Sequence, residues 1–416
     1  MNSFESALQR AQSLDEHDSL AHKRDEFYLP PGVIYLDGNS LGALPKTVAP
    51  RMQKAIEQEW GVGLIRSWND ADWYPAPQRV GGQIAALIGA KASEVITCDS
   101  TTVNLFKVLC AAALAQPERK TILCEEGNFP TDAYITESTA ALYGKRILLA
   151  NQSNIEEVIA QAGSDLCAVA LTHVHYKTGR MLDMARITQL VQQQGGRMIW
   201  DLAHSAGVIP VQLSAANVDY AVGCGYKYLN GGPGAPAYVY VREDLQATLE
   251  QPLLGWHGHA APFAFEQGYR PHATIDRLLV GTASQLSLIA LEAALQAYQG
   301  VSMQAVRSKS ASLTTLFIEL FDTHIAPLGF GLASPREAAQ RGSQVSFTHE
   351  SGYAIMQAVI ERGVIGDFRA PNILRFGFAP LYVSHVDCVH AIRILHEVMT
   401  SGAWKDAKYQ SKKAVT

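Results

Sequence analysis

The run Arg197-Met198-Ile199-Trp200-Asp201-Leu202-Ala203-His204-Ser205-Ala206-Gly207 sets an acid and a histidine at the end of an apolar strand. A charge there is costly to bury unless something pairs with it, so the strand end reads as a site as well as a structural element. On either side of it, short apolar or β-branched runs alternate with helical patterns, the pattern of a sheet carrying helices on its faces. Strands are expected over Val95 to Cys98, Thr121 to Glu125, Arg146 to Leu149, Cys167 to Val174, Arg197 to Leu202, Tyr220 to Gly225 and Ala237 to Val241. Helices are expected over Thr102 to Ala115, Thr131 to Tyr143, Ile155 to Gln161 and Met184 to Gln194, the last closed by Gly195 and Gly196.

Past about residue 282 the pattern changes. Long helices from Ser284 to Tyr298 and Met303 to Phe321 lead into strands Gln344 to Phe347 and Ile373 to Phe378 with helices Ala354 to Arg362 and Val386 to Met399. The 416 residues, 48% of them hydrophobic, are too many for one compact core and too apolar for a disordered chain. The expected division is an N-terminal segment, 1–50, packing with the small domain, a large α/β domain, 51–282, and a smaller α+β domain, 283–416.

Composition excludes several function classes. The chain has 34 Lys plus Arg against 39 Asp plus Glu, a net charge of −5, and no polybasic block, which argues against nucleic acid or an anionic membrane as partner. The longest apolar run, Val108 to Ala115, falls far short of the ~20 residues that span a bilayer, and the first residues hold no apolar signal region. A cytoplasmic location is expected. The six cysteines, Cys98, Cys110, Cys124, Cys167, Cys224 and Cys388, lie far apart without a CxxC pair and read as reduced core thiols.

A second polar cluster follows the first. Gly223-Cys224-Gly225-Tyr226-Lys227-Tyr228-Leu229-Asn230-Gly231-Gly232-Pro233-Gly234 places a lysine between two tyrosines inside glycine punctuation. A lone lysine is usually a solvated surface charge. This one leaves an apolar strand into a loop that permits close backbone approach, so a Schiff-base role stands beside the ordinary reading. Neither glycine run fits GxxxxGK[ST] or GxGxxG, and nucleotide binding loses ground. Asp201 and Lys227 make chemical sense together if the ligand is pyridoxal phosphate, the lysine condensing with its aldehyde and the carboxylate keeping its ring nitrogen protonated. Its phosphate would need a helix N-terminus with hydroxyls, and Asp99-Ser100-Thr101-Thr102-Val103-Asn104 opens one, although Ser and Thr are also ordinary N-caps. Asn128-Phe129-Pro130-Thr131-Asp132 follows the next strand, where Phe129 could stack on a ring or simply fill core.

Several longer stretches carry a family resemblance: Tyr35-Leu36-Asp37-Gly38-Asn39-Ser40-Leu41-Gly42, Leu64-Ile65-Arg66-Ser67-Trp68, Phe129-Pro130-Thr131-Asp132, the Asp201 to Gly207 run, Tyr226-Lys227-Tyr228-Leu229-Asn230 and Leu374-Arg375-Phe376-Gly377-Phe378. Over nearly its whole length the chain resembles the kynureninases, fold-type I pyridoxal-phosphate enzymes of the aminotransferase class V group. They cleave L-kynurenine, or 3-hydroxy-L-kynurenine, to anthranilate or its 3-hydroxy form and L-alanine, a step that serves tryptophan catabolism and NAD biosynthesis.

The resemblance implies a large, mostly parallel seven-stranded sheet domain and a smaller C-terminal α+β domain. It implies that Lys227 bonds the cofactor, that Asp201 pairs with the ring nitrogen, that His204 lies on the phenolic-oxygen side and that Phe129 stacks on the ring. Thr101, Thr102 and Tyr226 would hold the phosphate, with Pro130, Thr131, Asp132 and Thr172 completing the shell. Trp256 and Thr282 would reach the cofactor from the second subunit of a homodimer. Arg375 would take the substrate carboxylate, for which a planar fork of donors is suited. Trp60, Asn39 and Ser40 would lie near the aryl ketone. In the reaction Lys227 would move the α-proton, and Tyr226 would protonate the β-carbon with Asp132 as relay.

His173-x-His175 and His257-x-His259 have metal-like spacing, but neither pair has neighbours to complete a tetrahedron, and no metal is expected. Two other readings compete: an aminotransferase or cysteine desulfurase on the same scaffold, the latter needing a thiolate on a mobile loop, and a catalytically silent cofactor-binding protein.

Overall fold

The computed structural model describes residues 3–411. Its large sheet has seven strands, β1 (Val95–Thr97), β2 (Thr121–Glu125), β3 (Arg146–Ala150), β4 (Leu166–Thr172), β5 (Arg197–Asp201), β6 (Tyr220–Cys224) and β7 (Ala237–Val241), in the spatial order β1-β7-β6-β5-β4-β2-β3. Every residue of β4 is buried, with Val169 and Leu171 in one core and Ala168 and Ala170 in the other, so the sheet is covered on both faces. Strands β2 to β6 pair in parallel, and β7 runs antiparallel to both β6 and β1. Because β1 lies at the sheet edge, β7 is its sheet neighbour. Cys98 N donates to the Ala237 carbonyl at 2.9 Å, and Ala237 N donates to the Asp99 carbonyl at 2.9 Å, so the turn after β1 is stitched to the start of β7.

The longer helices are α1 (Ser3–Glu16), α2 (Ala76–Leu87), α3 (Thr101–Ala115), α4 (Pro130–Leu142), α5 (Ile155–Ala162), α6 (Met184–Gln193), α7 (Gln285–Leu295), α8 (Met303–His324), α9 (Gly352–Ile360) and α10 (His385–Ser401). The strand and helix ends fall within a few residues of the sequence reading, the usual play of helix and strand termini. In the C-terminal part β8 (Gly331–Leu332), β9 (Gln344–Thr348), β10 (Asp367–Arg369) and β11 (Ile373–Gly377) form an antiparallel sheet in the order β8-β9-β11-β10. Phe317 of α8 stacks on Phe347 of β9 with ring centroids 5.4 Å apart and meets Phe376 at 5.2 Å, which fixes the helix over the sheet.

The N-terminal residues pack against the C-terminal part, α1 on α10. Asp15 at the end of α1 accepts from the backbone N–H groups of His385 at 2.8 Å and Val386 at 3.0 Å, satisfying orphan donors at the start of α10. Ile34–Tyr35 pairs in parallel with Val364–Ile365, and Asp37 bridges Gly377. Five residues on from that bridge, Gly42 N donates to the Tyr226 carbonyl at 2.8 Å, so one short loop touches both halves of the molecule. A Cβ at Gly42 would sit 2.3 Å from the Lys227 carbonyl, an approach that only glycine permits.

Helix α2 is absent from the sequence reading because Gly81 and Gly82 weaken its pattern. The two glycines are not equivalent. A Cβ on Gly81 would fall 2.4 Å from the Val95 carbonyl oxygen, whereas one on Gly82 would meet the Ala92 Cβ at 3.4 Å. Gly81→Ala should therefore push α2 off β1 and destabilise the fold by about 1–3 kcal/mol, while Gly82→Ala should be neutral or stabilising by up to about 1 kcal/mol. Urea unfolding midpoints of the two variants check this; equal midpoints would contradict the close packing at Gly81.

Candidate active site

The C-terminal ends of the parallel strands bring the polar residues together, where an open α/β sheet offers a crevice. Thr172 ends β4 and Asp201 ends β5, and the two are Cα partners in register. Asp132, in the first turn of α4, comes in from the loop after β2. Thr172 Oγ1 donates to Asn128 Oδ1 at 2.6 Å and to Asp132 Oδ2 at 3.3 Å, and Asn128 Nδ2 donates to Asp132 Oδ2 at 3.0 Å. Asn128 Oδ1 also accepts the Phe129 N–H at 2.7 Å, which sets the angle at which that ring enters the crevice.

Electrostatics follow from dryness. Burial raises the Asp201 carboxyl above its ordinary range, opposed chiefly by the Lys227 charge and by the hydrogen bond that Asp201 Oδ1 accepts from Ala203 N at 2.7 Å. Burial, then the neighbouring Asp201, raises Asp132 well above its range. Lys227 Nζ lies 3.0 Å from His204 Nε2, and burial, then the Lys227 charge, pushes His204 well below its usual value, so the imidazole is neutral near pH 7. His204 Nδ1 is buried with no hydrogen-bond partner. Burial first of all raises the Tyr226 phenol, which keeps its proton at neutral pH.

Lys227 Nζ is 6.0 Å from the Phe129 ring centroid and 5.8 Å from that of Tyr226. Opposite them, Ser100 caps α3 by accepting the Val103 N–H at 3.3 Å, and Thr101 and Thr102 occupy its first turn. Thr102 Oγ1 lies 3.4 Å from Thr131 Oγ1. These residues, with Thr172, Asp201, His204, Tyr226 and Lys227, line a cavity of 150 Å³. A larger cleft of 820 Å³ runs between Gln152 and Gln340 and holds none of them. Pro130 opens α4 as its first helical residue and is not part of the cavity wall.

Other expected site residues sit elsewhere. Trp256 and Thr282 are exposed and do not line the cavity. Trp60 is 56% exposed on the helical stretch Ala55–Gly63. Asn39 is fully buried and donates to Gln344 Oε1 at 3.1 Å. Ser40 Oγ donates to Asp367 Oδ2 at 2.6 Å and accepts from Arg375 at 3.0 Å. The Arg375 guanidinium is buried behind the cavity wall. Its Nε donates to Asp367 Oδ1 at 2.7 Å, one terminal nitrogen pairs with Asp367 Oδ2, and the other donates to the carbonyl of cavity-lining Tyr176 at 2.7 Å. Burial, then Asp367, pushes the nearby Asp37 carboxyl up to about 8.

Asn128, Tyr176 and Asp367 were missed by the sequence reading. Asn128 stands next to Phe129 in a stretch already singled out; Asp367 is found only through its cross-strand register with Arg375. The histidine pairs are occupied otherwise. His173 Nδ1 is 2.9 Å from Ser205 Oγ and His257 Nδ1 is 3.3 Å from the Gly281 carbonyl. Among the described residues no group of three or more side chains could hold a metal ion. All six cysteines are free and buried, and burial pushes the Cys98 thiol up to about 12 and that of Cys124 up to about 11, the opposite of an activated nucleophile.

The fold and its neighbours agree. A cysteine desulfurase from Thermococcus onnurineus NA1 superposes with a TM-score of 0.77 at 20% identity, over 91% of this chain and 98% of its own. A C-DES variant with glycine covalently linked to its PLP cofactor superposes at 0.79 and 20% identity, over 90% and 99%. At that identity the likeness is one of fold. A family profile described as the kynureninase C-terminal domain matches residues 306–395. The kynureninase of Pseudomonas fluorescens is 48% identical over 408 residues, 97% of this chain and 98% of that protein, and that of Burkholderia pseudomallei (strain K96243) is 46% identical over 412 residues, 98% and 99%. With such identity sustained from end to end, the chain belongs to the kynureninase family.

Proposed function

We propose that at the 150 Å³ cavity the chain hydrolyses the bond between the β- and γ-carbons of L-kynurenine, releasing anthranilate and L-alanine in tryptophan catabolism, with pyridoxal phosphate as cofactor. The convergence of Lys227, His204 and Asp201 on a cavity capped by the N-terminus of α3 carries this reading. The donor set fits the cofactor. Thr101, Thr102 and the first N–H groups of α3 would take the phosphate, Asp201 the ring nitrogen, Phe129 the ring face and Lys227 the aldehyde, while the unpartnered His204 Nδ1 offers a further polar contact. When bound, the cofactor supplies an electron sink for charge that develops on the substrate's carbon chain.

The remaining chemistry belongs to the chain. Lys227, beside a neutral imidazole, removes and returns the proton at the substrate α-carbon. Water adds to the γ-ketone, and rupture of the carbon–carbon bond leaves the carbonyl carbon with anthranilate and the three-carbon fragment with a β-carbon that needs a proton. Tyr226, protonated at neutral pH, donates it, and Asp132, held high by burial and by Asp201, relays its replacement. Arg375 takes the substrate carboxylate by exchanging the partners of its terminal nitrogens, Asp367, Ser40 and the Tyr176 carbonyl, while the bond from its Nε to Asp367 Oδ1 keeps its orientation. Trp256 and Thr282, exposed and outside their own cavity, complete the site of a second copy in a homodimer. We divide the chain into 1–50, 51–282 and 283–416 and place the enzyme in the cytoplasm, a compartment that suits six unpaired cysteines. No helix among the described residues is long and apolar enough to cross a membrane. Release of fluorescent anthranilate on adding L-kynurenine to the yellow holoenzyme tests the activity; release of a keto acid or of sulfide in its place would favour the other class V reactions.

Lys227→Ala should abolish the borohydride-reducible yellow chromophore, and a chromophore that survives would remove Lys227 from its role. Arg375→Ala should raise KM more than it lowers kcat, with little rescue by Arg375→Lys, because a point charge cannot replace a two-point fork. Full rescue by lysine would reduce Arg375 to a distant charge. For the shared site, a Lys227→Ala chain refolded with equal amounts of a Trp256→Ala, Thr282→Ala chain should recover activity, since random pairing leaves about a quarter of all sites intact. Activity near zero after verified mixing would sink that arrangement.

A further inference from the structure

Lys107 is a charge that the reaction does not use. It lies on α3 among apolar neighbours with its side chain 0% exposed. A buried ammonium is costly unless acceptors surround it, and an apolar residue would pack the helix at less cost. Three acceptors do surround it: the Asp99 carboxylate, the Leu278 carbonyl at 2.5 Å and Cys98 Sγ at 3.9 Å.

The first two belong to different parts of the site. Asp99 precedes Ser100 in the turn that opens the phosphate cradle, and its φ of +48° is a left-handed conformation that a non-glycine residue keeps only where its surroundings hold it. Asn104 on the same helix fastens the turn from the other side, donating to the Cys98 carbonyl at 2.7 Å. Leu278 closes the short turn Ile275–Leu278, from which the chain runs directly to Thr282. That segment is packed against Trp256–Gly258. His257 N donates to the Val280 carbonyl at 3.3 Å, and a Cβ on Gly255 would fall 1.9 Å from the same oxygen. Trp256 and Thr282 therefore form one arm. The arm faces outward, with Trp256 42% and its neighbour Phe263 63% exposed.

We propose that Lys107 is a positioning residue that couples the two cofactor sites of the dimer, locking the turn of its own phosphate cradle to the root of the arm that completes the partner's site. The proposal rests on the shared-site reading above. A phosphate that settles one cradle holds Asp99 in place, and through Lys107 it steadies Leu278 and the arm that the neighbouring cavity needs. Such coupling is reciprocal, so each cofactor favours the binding of the other.

Mixed dimers assembled from differently tagged chains test it, read by the affinity for pyridoxal phosphate from chromophore absorbance rather than by turnover. In the first dimer one chain carries Lys107→Met together with Lys227→Ala and the other is unaltered, so the single chromophore forms in a native cradle served by an altered arm. In the second, Lys107→Met lies on the chain that keeps Lys227 and the partner carries Lys227→Ala alone, so the cradle is altered and the arm native. Against a reference dimer with Lys227→Ala on one chain only, the Kd should rise about tenfold in both, within the usual range of coupling between sites. An unchanged Kd in the first dimer overturns the coupling, whatever the second shows, because a plain support of its own helix acts only in its own chain. If chains with Lys107→Met do not assemble, Asp99→Asn in the same two arrangements removes the ion pair while keeping a residue that tolerates the left-handed turn, and the same criterion applies. Failure of the Trp256 and Thr282 complementation above would remove the shared site and the coupling with it; success there with an unaffected first dimer would remove the coupling alone.

Discussion

A buried acid and a half-buried amine at the same end of one sheet are the constraint on which the rest of the site depends. Asp201 is raised by burial, opposed chiefly by Lys227, so the amine makes the buried acid's charge more tolerable. The second carboxyl, Asp132, forms no ion pair and is held by hydrogen bonds from Asn128 and Thr172, with Lys227 as a more distant opposing charge. That ordering explains why the loop after β2 is built around an asparagine. One side chain satisfies Asp132, Thr172 and the backbone of Phe129 at once, and a ring can then be offered to a ligand from a loop that would otherwise be loose.

What could be read along the chain and what could not divides by locality. Six strands of the large sheet are legible because a strand buried on both faces is a continuous apolar run, the edge strand β3 because its short run is apolar though partly exposed, and the residues that end such runs, Thr172 and Asp201, announce themselves as polar interruptions. Lys227 was legible for the same reason, as the charge following β6. Asp367 carries no such mark. Its meaning comes from lying opposite Arg375 across an antiparallel pair, a relation set by register and invisible to local pattern. Tyr176 contributes through its carbonyl, which every residue has. Lys107 interrupts an apolar helix, but nothing nearby in sequence shows that its partner is the carbonyl of Leu278. In the stretch from Tyr35 to Gly42 the stricter steric demand falls on glycine, since Gly42 passes against the Lys227 backbone while Asn39 turns inward to Gln344 and Ser40 to Asp367.

That stretch gives the two halves of the molecule a common reference. Through Gly42 it is bonded to the turn that carries Lys227, and through Ser40 it meets the guanidinium and carboxylate of the smaller sheet. An amine and a cation contributed by separate sheets are thus spaced by a third segment as well as by direct bonds such as that from Arg375 to the Tyr176 carbonyl. Proteins of the same fold at 20% identity include desulfurases, so the scaffold alone does not choose the reaction. The choice lies in such spacing and in what fills the crevice, and here every cysteine is withdrawn into the core.

The edge position of β1 has a bearing on how the molecule comes into being. Its one neighbour in the large sheet is β7, which lies beyond all the intervening strands in the chain, so β1 and the turn after it, the proposed phosphate cradle, rest on α2 and α3 but have no strand to pair with until residues 237–241 have left the ribosome. Strands β2 to β5 can already pair with one another during that interval. The cradle closes only when Ala237–Val241 inserts between β1 and β6, after Lys227 has emerged. On the proposed assignment, cofactor capture would be deferred until Lys227 is present, and a chain cut short before β7 would be left with an unpaired strand in place of a half-built site.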